Sequence, residues 1–165
     1  MQTQTIYHSP LGDLRLTADA TALLEARFDV PLTMPQEESP ILTETIRWLE
    51  HYFQGIDPGK LPPIAPTGTP FQQRIWRLTQ NIPYGCTASY GMLAKQAAIE
   101  MGKAKMSAQA VGGAVRCNPI AILIPCHRVV GANGDLTGYF GGMERKIRLL
   151  TLEGLDMTQF TLPPQ

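Results

Sequence analysis

A cysteine, a histidine and an arginine stand in a row at residues 126–128, directly after the apolar run Ile120–Ile124 and Pro125. A thiol beside an imidazole can be a nucleophile with its base. The imidazole takes the thiol proton, directly or through one water, and the thiolate attacks. The same Cys126 can instead be a small core residue, because a thiol buried in apolar surroundings has a raised pKa and is inert. Neighbouring residues in a strand point to opposite faces. Pro125 ends the strand expected over residues 120–124, so Cys126 and His127 need not alternate. A relay also needs a third group to orient the imidazole. Glu153, at the end of the last helix, is the candidate. Spacing alone leaves both readings open.

Other chemistries are weaker in the sequence. Cys117, Cys126 and His127 lack the paired spacing of a zinc site, so no metal is expected. Cys86 and Cys117 read as small buried packing residues. His8 and His51 read as surface or packing residues. The stretch "GANGDLTGYFGG" is rich in glycine, but it lacks the spacing of a phosphate-binding loop. An odd count of three cysteines, with no signal peptide, points to reduced thiols in the cytoplasm. No stretch approaches the roughly 18 apolar residues of a membrane span.

The elements that must position these groups fall into two parts. Residues 1–66 read as a small sheet and a helix. "TIYHS" and "LRLTA" flank the turn "PLGD", and "ALLEARF" supplies a third strand. "ILTETIRWLEHYFQG" carries apolar residues at 42, 46, 49 and 53, a helical spacing closed by Gly55. The Pro- and Gly-rich stretch ending near residue 66 marks a boundary. Charge changes sign there. Residues 1–66 carry four basic and nine acidic residues, a balance of −5, and residues 67–165 carry ten basic and five acidic, +5. The neutral total hides a basic part able to meet a polyanion.

In residues 67–165, Thr69, Pro70 and Gln72 form the start signal of a helix whose buried face is Phe71, Ile75, Trp76 and Leu78. Ser89 caps a short helix, "YGMLAKQAA". The next, "AQAVGGAVRC", contains two adjacent glycines, each costing about 1 kcal/mol against alanine inside a helix. Either it packs tightly within the protein, or another backbone, such as that of DNA, approaches it closely. Two helices joined by a short connection, the second ending in Arg116, resemble a helix-turn-helix. "MERKIRLLTLEG" is the last helix. Residues alone therefore leave two classes: a cysteine-nucleophile enzyme, or a basic DNA-binding module with an incidental cysteine.

"NPIAILIPCHRVVG", residues 118–131, closely resembles the active-site segment of the O6-alkylguanine-DNA alkyltransferases. "GTPFQQRIW", "IPYG", "SYGMLA", "AVGGAVRCNP", "TGYFGG" and "RLLTLEG" are similar to family motifs in the family's order, over roughly residues 67–155. The resemblance implies an α+β protein: a small N-terminal ribonuclease-H-like α/β domain, 1–66, and a mostly helical winged helix-turn-helix domain, 67–165. It implies direct-reversal DNA repair, in which O6-alkylguanine, or O4-alkylthymine, is flipped from duplex DNA and its alkyl group moves irreversibly to a cysteine. No cofactor is implied, and the free protein is expected to be a monomer.

Residue by residue, the resemblance makes Cys126 the alkyl acceptor, His127 the base acting through a water, and Glu153 the group that holds the histidine. Asn118 would brace the active-site turn. Tyr90 would line the pocket and donate a hydrogen bond to the leaving guanine. Tyr139 would form part of the pocket wall, and the N–H of Phe140 would meet the guanine oxygen. The carbonyls of Cys126 and Val129 would read the exocyclic amine. Gln109, Ala110, Gly112, Gly113 and Arg116 would lie on the DNA. One departure stands out: where the family has an arginine in "A-R-A-V-G", this chain has Gln109. A shorter, uncharged side chain should fill the place of the flipped base less well, and Lys103 and Lys105, in a longer preceding connection, could supply phosphate contacts. Some family members bind zinc through N-terminal cysteines; residues 1–66 have none, so zinc is not expected. Non-enzymatic relatives lack the acceptor cysteine, which this chain keeps. A cysteine hydrolase has no matching signature around Cys126.

Overall fold

A computed structural model describes residues 1–136, 138–139 and 141–161. They form two compact units, one of Met1–Thr67 with Pro119–Leu123, the other of Gly68–Asn118 with Ile124–Gln165.

In the first unit, strands β1 (Thr3–Ser9), β2 (Gly12–Ala18) and β3 (Leu23–Phe28) form an antiparallel sheet in that order. Leu14, Leu16 and Ala18 recur every second residue on β2 and are all fully buried, the period of a one-sided sheet. Helix α1 (Pro40–Phe53) starts where the Ser39 side chain accepts from the Leu42 N–H and Pro40 supplies a preset φ. Its buried stripe is Leu42, Thr45, Trp48, Leu49 and Tyr52. That stripe is rotated from the expected 42-46-49-53: Ile46 and Phe53 are only half-buried. Thr45 can be buried because its hydroxyl donates back to Ile41 O at 2.8 Å.

Residues 120–124 do not form the expected strand. Ile120 makes a single bridge to Ala26, with Ala26 N–H donating to Pro119 O and Ala121 N–H to Ala26 O, each at 2.9 Å. The chain then turns. Leu123 N–H donates to Ala121 O at 2.8 Å around Ile122, whose φ is 72°. An i→i+2 bond around a positive-φ residue is the pattern of the rare, strained γ-turn. The five apolar residues read as a strand because all are buried, each 2% exposed or less, but burial does not require a ladder.

The second unit is mostly helical: α2 (Pro70–Gln80), α3 (Tyr90–Met101), α4 (Ala108–Arg116) and α5 (Met143–Leu152), with a short parallel pair β4 (Ala88–Ser89) and β5 (Val129–Val130). Thr69 and Gln72 form the expected capping box on α2. Ile75, Trp76 and Leu78 are buried, and Phe71 half-buried. Trp76 Nε1 donates to Ala114 O at 2.9 Å, pinning α2 to α4. Ser89 and Ser107 cap α3 and α4. Between them Gly102, at φ 66°, ends α3 in the left-handed conformation that favours glycine. Val130, Leu136 and Leu150, with Met143, Ile147, Leu155, Met157 and Phe160, form a small core under α5.

Candidate active site

Cys126 opens a short 3-10 turn, Cys126–Arg128. Pro125, at φ −82° and ψ 60°, sits inside an inverse γ-turn closed by Cys126 N–H donating to Ile124 O at 2.8 Å. With three residues per turn, Cys126 and His127 point about 120° apart, not to opposite faces as in a strand. Asn118 Nδ2 donates to Ile124 O at 2.9 Å, joining the two ends of the segment that leaves this unit, and its side chain also hydrogen-bonds Cys126. Cys126 is 1% exposed. Burial pushes its thiol up to about 12, while Asn118 and the Lys146 ammonium pull the other way. The resting acceptor is a neutral thiol.

Behind it lies a buried charge array. Glu153, at the C-terminal cap of α5, accepts from His127 Nε2 at 2.6 Å, Arg128 Nε at 2.8 Å, Arg128 Nη2 at 3.1 Å and the Gly85 N–H at 3.0 Å. Arg128 also donates to Ile82 O at 2.8 Å. Burial works against the Glu153 carboxylate, but bonds and charge from His127 and Arg128 outweigh it and hold its pKa at about 2. Burial also lowers His127, against the pull of Glu153. An ionised carboxylate only accepts, so Nε2 of a neutral His127 carries the proton and Nδ1 presents a lone pair. That tautomer is the one a base needs. The Tyr139 ring stands edge-on to His127, with centroids 6.4 Å apart.

The two carbonyls expected to read a base are each already engaged once. Cys126 O accepts from the Val129 N–H, and Val129 O accepts from Lys146 Nζ at 2.6 Å. Each retains a second lone pair. Lys146 is fully buried and carries no role in the sequence reading. Its signal was available: Met143, Lys146, Ile147 and Leu150 follow one another at helical spacing, which puts a lysine on the apolar face of α5. Arg128 was noticed only as a neighbour of His127.

Tyr90, Gly91, Ala108, Gln109, Gly112, Arg116, Gly131, Ala132 and Gly138 line a cavity of about 770 Å³. It therefore gathers Tyr90 with three of the five residues expected on DNA. Ala110 and Gly113 lie on the same helix outside that lining. A Cβ on Gly112 would meet Arg116 and Tyr90 atoms no closer than 3.7 Å, ordinary contact, and one on Gly113 would meet nothing within 4 Å. Internal packing therefore does not require either glycine. Thr137 and Phe140 lie outside the described residues, and so does the expected role of the Phe140 N–H.

Cys86 and Cys117 are exposed and free, not packed as expected. Cys117 is the C-cap of α4 and Cys86 closes a turn onto Pro83 O, positions set by backbone geometry and not by apolar burial. His8 pairs with Asp13 at the surface, and His51 is exposed. Among the described residues no group of three or more His, Cys, Asp or Glu could hold a metal ion, and no helix is long and apolar enough to cross a membrane.

Comparison with known proteins gives consistent matches. A family model for the 6-O-methylguanine DNA methyltransferase DNA-binding domain matches residues 70–155. The model for that family's ribonuclease-like domain matches residues 3–58. A methylated-DNA–protein-cysteine methyltransferase of Methanosarcina acetivorans is 42% identical over 156 residues, covering 90% of this chain and 96% of the relative. One from Haemophilus influenzae is 40% identical over 156 residues, covering 90% and 84%. Among solved structures, Mycobacterium tuberculosis OGT in complex with DNA superposes with a TM-score of 0.81 at 37% identity, covering 96% of this chain and 94% of that one.

Proposed function

This chain belongs to the 6-O-methylguanine DNA methyltransferase family, and from that premise we propose that it repairs DNA by direct reversal, moving the alkyl group of O6-alkylguanine, and of O4-alkylthymine, irreversibly to Cys126. It is a methylated-DNA–protein-cysteine methyltransferase that acts once per molecule. The observation that carries the assignment of residues is the buried array of Cys126, His127 and Glu153 with Asn118 on the same turn.

The target atom is unreachable in a stacked duplex, so the base must be flipped out, at a few kcal/mol. His127 Nδ1 takes the Cys126 proton, directly or through one water, and Glu153 stabilises the resulting imidazolium. The thiolate forms the C–S bond as the C–O6 bond breaks, and the electron pair leaves with guanine O6. Donors must match that growing charge. Tyr90, at the mouth of the cavity, supplies a hydroxyl. The carbonyls of Cys126 and Val129 accept from the exocyclic amine, and Tyr139 walls the site. A thiol held at about 12 is ionised in only about one molecule in 10⁵ at pH 7. Cys126 is therefore guarded against stray electrophiles until a base is in place.

DNA engagement belongs to residues 67–165, whose charge balance of +5, from ten basic and five acidic residues, suits a polyanion. Gly112 and Gly113 serve close approach of a sugar-phosphate backbone, a use supported by the open space around their missing Cβ atoms. Gln109, Ala110 and Arg116 share that helix, and Gln109 enters the stack where the base leaves. No metal or other cofactor takes part. The protein acts as a monomer in the cytoplasm, a compartment that keeps its three cysteines reduced.

The test is intact mass after mixing with duplex DNA that contains O6-methylguanine. One methyl group is expected on Cys126, and none in Cys126→Ser. No mass gain, or repeated turnover, sinks the proposal.

A further inference from the structure

We infer that Lys146 is a positioning residue for alkyl transfer: its ammonium faces the Cys126 thiolate as it forms and fixes the Val129 carbonyl that meets the base. The inference rests on Cys126 being the alkyl acceptor.

Lys146 is fully exposed to the argument against buried charge. Its side chain has no access to solvent, on a helix face shared with Ile147 and Leu150. Taking an ammonium out of water is costly, and one bond to a neutral carbonyl, Nζ to Val129 O at 2.6 Å, compensates only in part. A methionine there would pack with no such cost. The charge does something methionine cannot: Lys146 and Cys126 are near enough that each acts on the ionisation of the other. The Val129 bond sets where the charge stands. Val129 N–H closes the 3-10 turn onto Cys126 O, and β5 pairs Val129 with Ala88. The ammonium is thus anchored to the turn that presents the thiol.

The surrounding charged and titratable groups are Cys126 and His127 on that turn, Arg128 and Glu153 behind His127, and Tyr139 and Arg145. Lys146 opposes protonation of His127 as well as favouring the thiolate, so the two effects must be separated by pH. Burial lowers Lys146 to about 8, so it is mostly charged at pH 7. His127, lowered from its ordinary value, stays neutral above that.

Proton counting then gives a distinctive profile. Thiolate with ammonium has one proton fewer than the resting thiol with ammonium, and the same number as thiol with amine. Reactivity should climb about tenfold per pH unit until Lys146 loses its own proton, near pH 8, and then level off. Without Lys146 the climb starts lower and has no break.

Two readouts follow in a Cys86→Ser, Cys117→Ser background, which leaves Cys126 as the one thiol. The first is single-turnover methyl transfer from O6-methylguanine duplex. The second is capture of Cys126 by iodoacetamide without DNA. In both, the parent should break near pH 8. Lys146→Met should be about 10- to 100-fold slower at pH 7, still climbing past pH 9, with its melting temperature held or raised. A lysine that merely props the fold would lower the melting temperature and leave the break in place. Should Lys146→Met not fold, the parent decides alone: capture that climbs unbroken from pH 7 to 10 overturns the inference. So does a Met variant with the parent's rate and break. If the parent takes no methyl from DNA, the repair reading fails, and iodoacetamide capture still judges Lys146.

Discussion

Replacing Glu153 by glutamine removes one charge and almost no volume, yet it should disable the site. The carboxylate accepts four bonds, two on each oxygen: Oε1 from Arg128 Nε and Gly85 N, and Oε2 from His127 Nε2 and Arg128 Nη2. An amide has one oxygen. In either orientation its NH₂ meets donors, and among these only His127 can yield, by moving its proton to Nδ1. The base then becomes a donor toward Cys126. Wrong-tautomer substitutions of this kind cost about 10³–10⁴ in rate. Stability falls as well. Holding the carboxyl at about 2 instead of 4.5 corresponds to roughly 3 kcal/mol. Arg128, 8% exposed, also loses its counter-charge, so the total should be about 3–5 kcal/mol. The pH dependence has a definite sign. A depressed carboxyl pKa contributes stability that is complete above 4.5 and is lost as pH falls through about 2. Urea midpoints should therefore drop across that window in the parent, and this component should be missing in Glu153→Gln. His127, lowered by burial, adds a loss below its ordinary value of 6.5 in the parent. The assay is single-turnover methyl transfer by mass, with urea unfolding at pH 7 and pH 3. A Glu153→Gln protein that reacts within tenfold of the parent, at the parent's urea midpoint, refutes the relay.

Gln109→Arg should tighten duplex binding and speed methyl transfer, by about three- to tenfold, because a longer, charged side chain fills the gap and meets phosphate; unchanged affinity and rate would dismiss a stacking role for Gln109. Gly113→Ala should raise the stability of the free protein by about 0.5–1 kcal/mol, since its Cβ meets nothing and alanine favours the helix. The same change should weaken duplex binding in a fluorescence titration, and equal affinity would mean that no backbone comes close to that position.

What the sequence disclosed divides by range. The caps of α1 to α4 were legible because Ser39, Thr69, Ser89 and Ser107 act within three residues of their own N–H partners. Sheet alternation on β2 was legible for the same reason. The Glu153–His127 pair spans 26 residues and the Gly85–Glu153 bond 68, so no local rule could join them, and Glu153 rested on resemblance and its place at a helix end. The rotated stripe of α1 turned on a single threonine whose hydroxyl is satisfied inside the helix. Lys146 went unread because charge was taken as a mark of the surface, although its helical spacing with Met143, Ile147 and Leu150 contradicted that.

The most instructive difference is the segment 120–124. An unbroken apolar run before a nucleophile suggests a rigid strand as its support. The chain instead makes a γ-turn at Ile122, φ 72°, and an inverse γ-turn at Pro125, immediately before Cys126. A β-branched residue at positive φ costs on the order of 1–3 kcal/mol. Each fully buried isoleucine or leucine returns about 1.5–3 kcal/mol, and Ile120, Ile122, Leu123 and Ile124 are all buried. Burial therefore outweighs the strain several times over. The apolar side chains hold a turn that the backbone alone would not adopt, and that turn sets the direction from which Cys126 presents its sulfur. Support for the nucleophile comes from packing around a strained turn, with Asn118 closing it onto Ile124 O, and not from a ladder of strand hydrogen bonds.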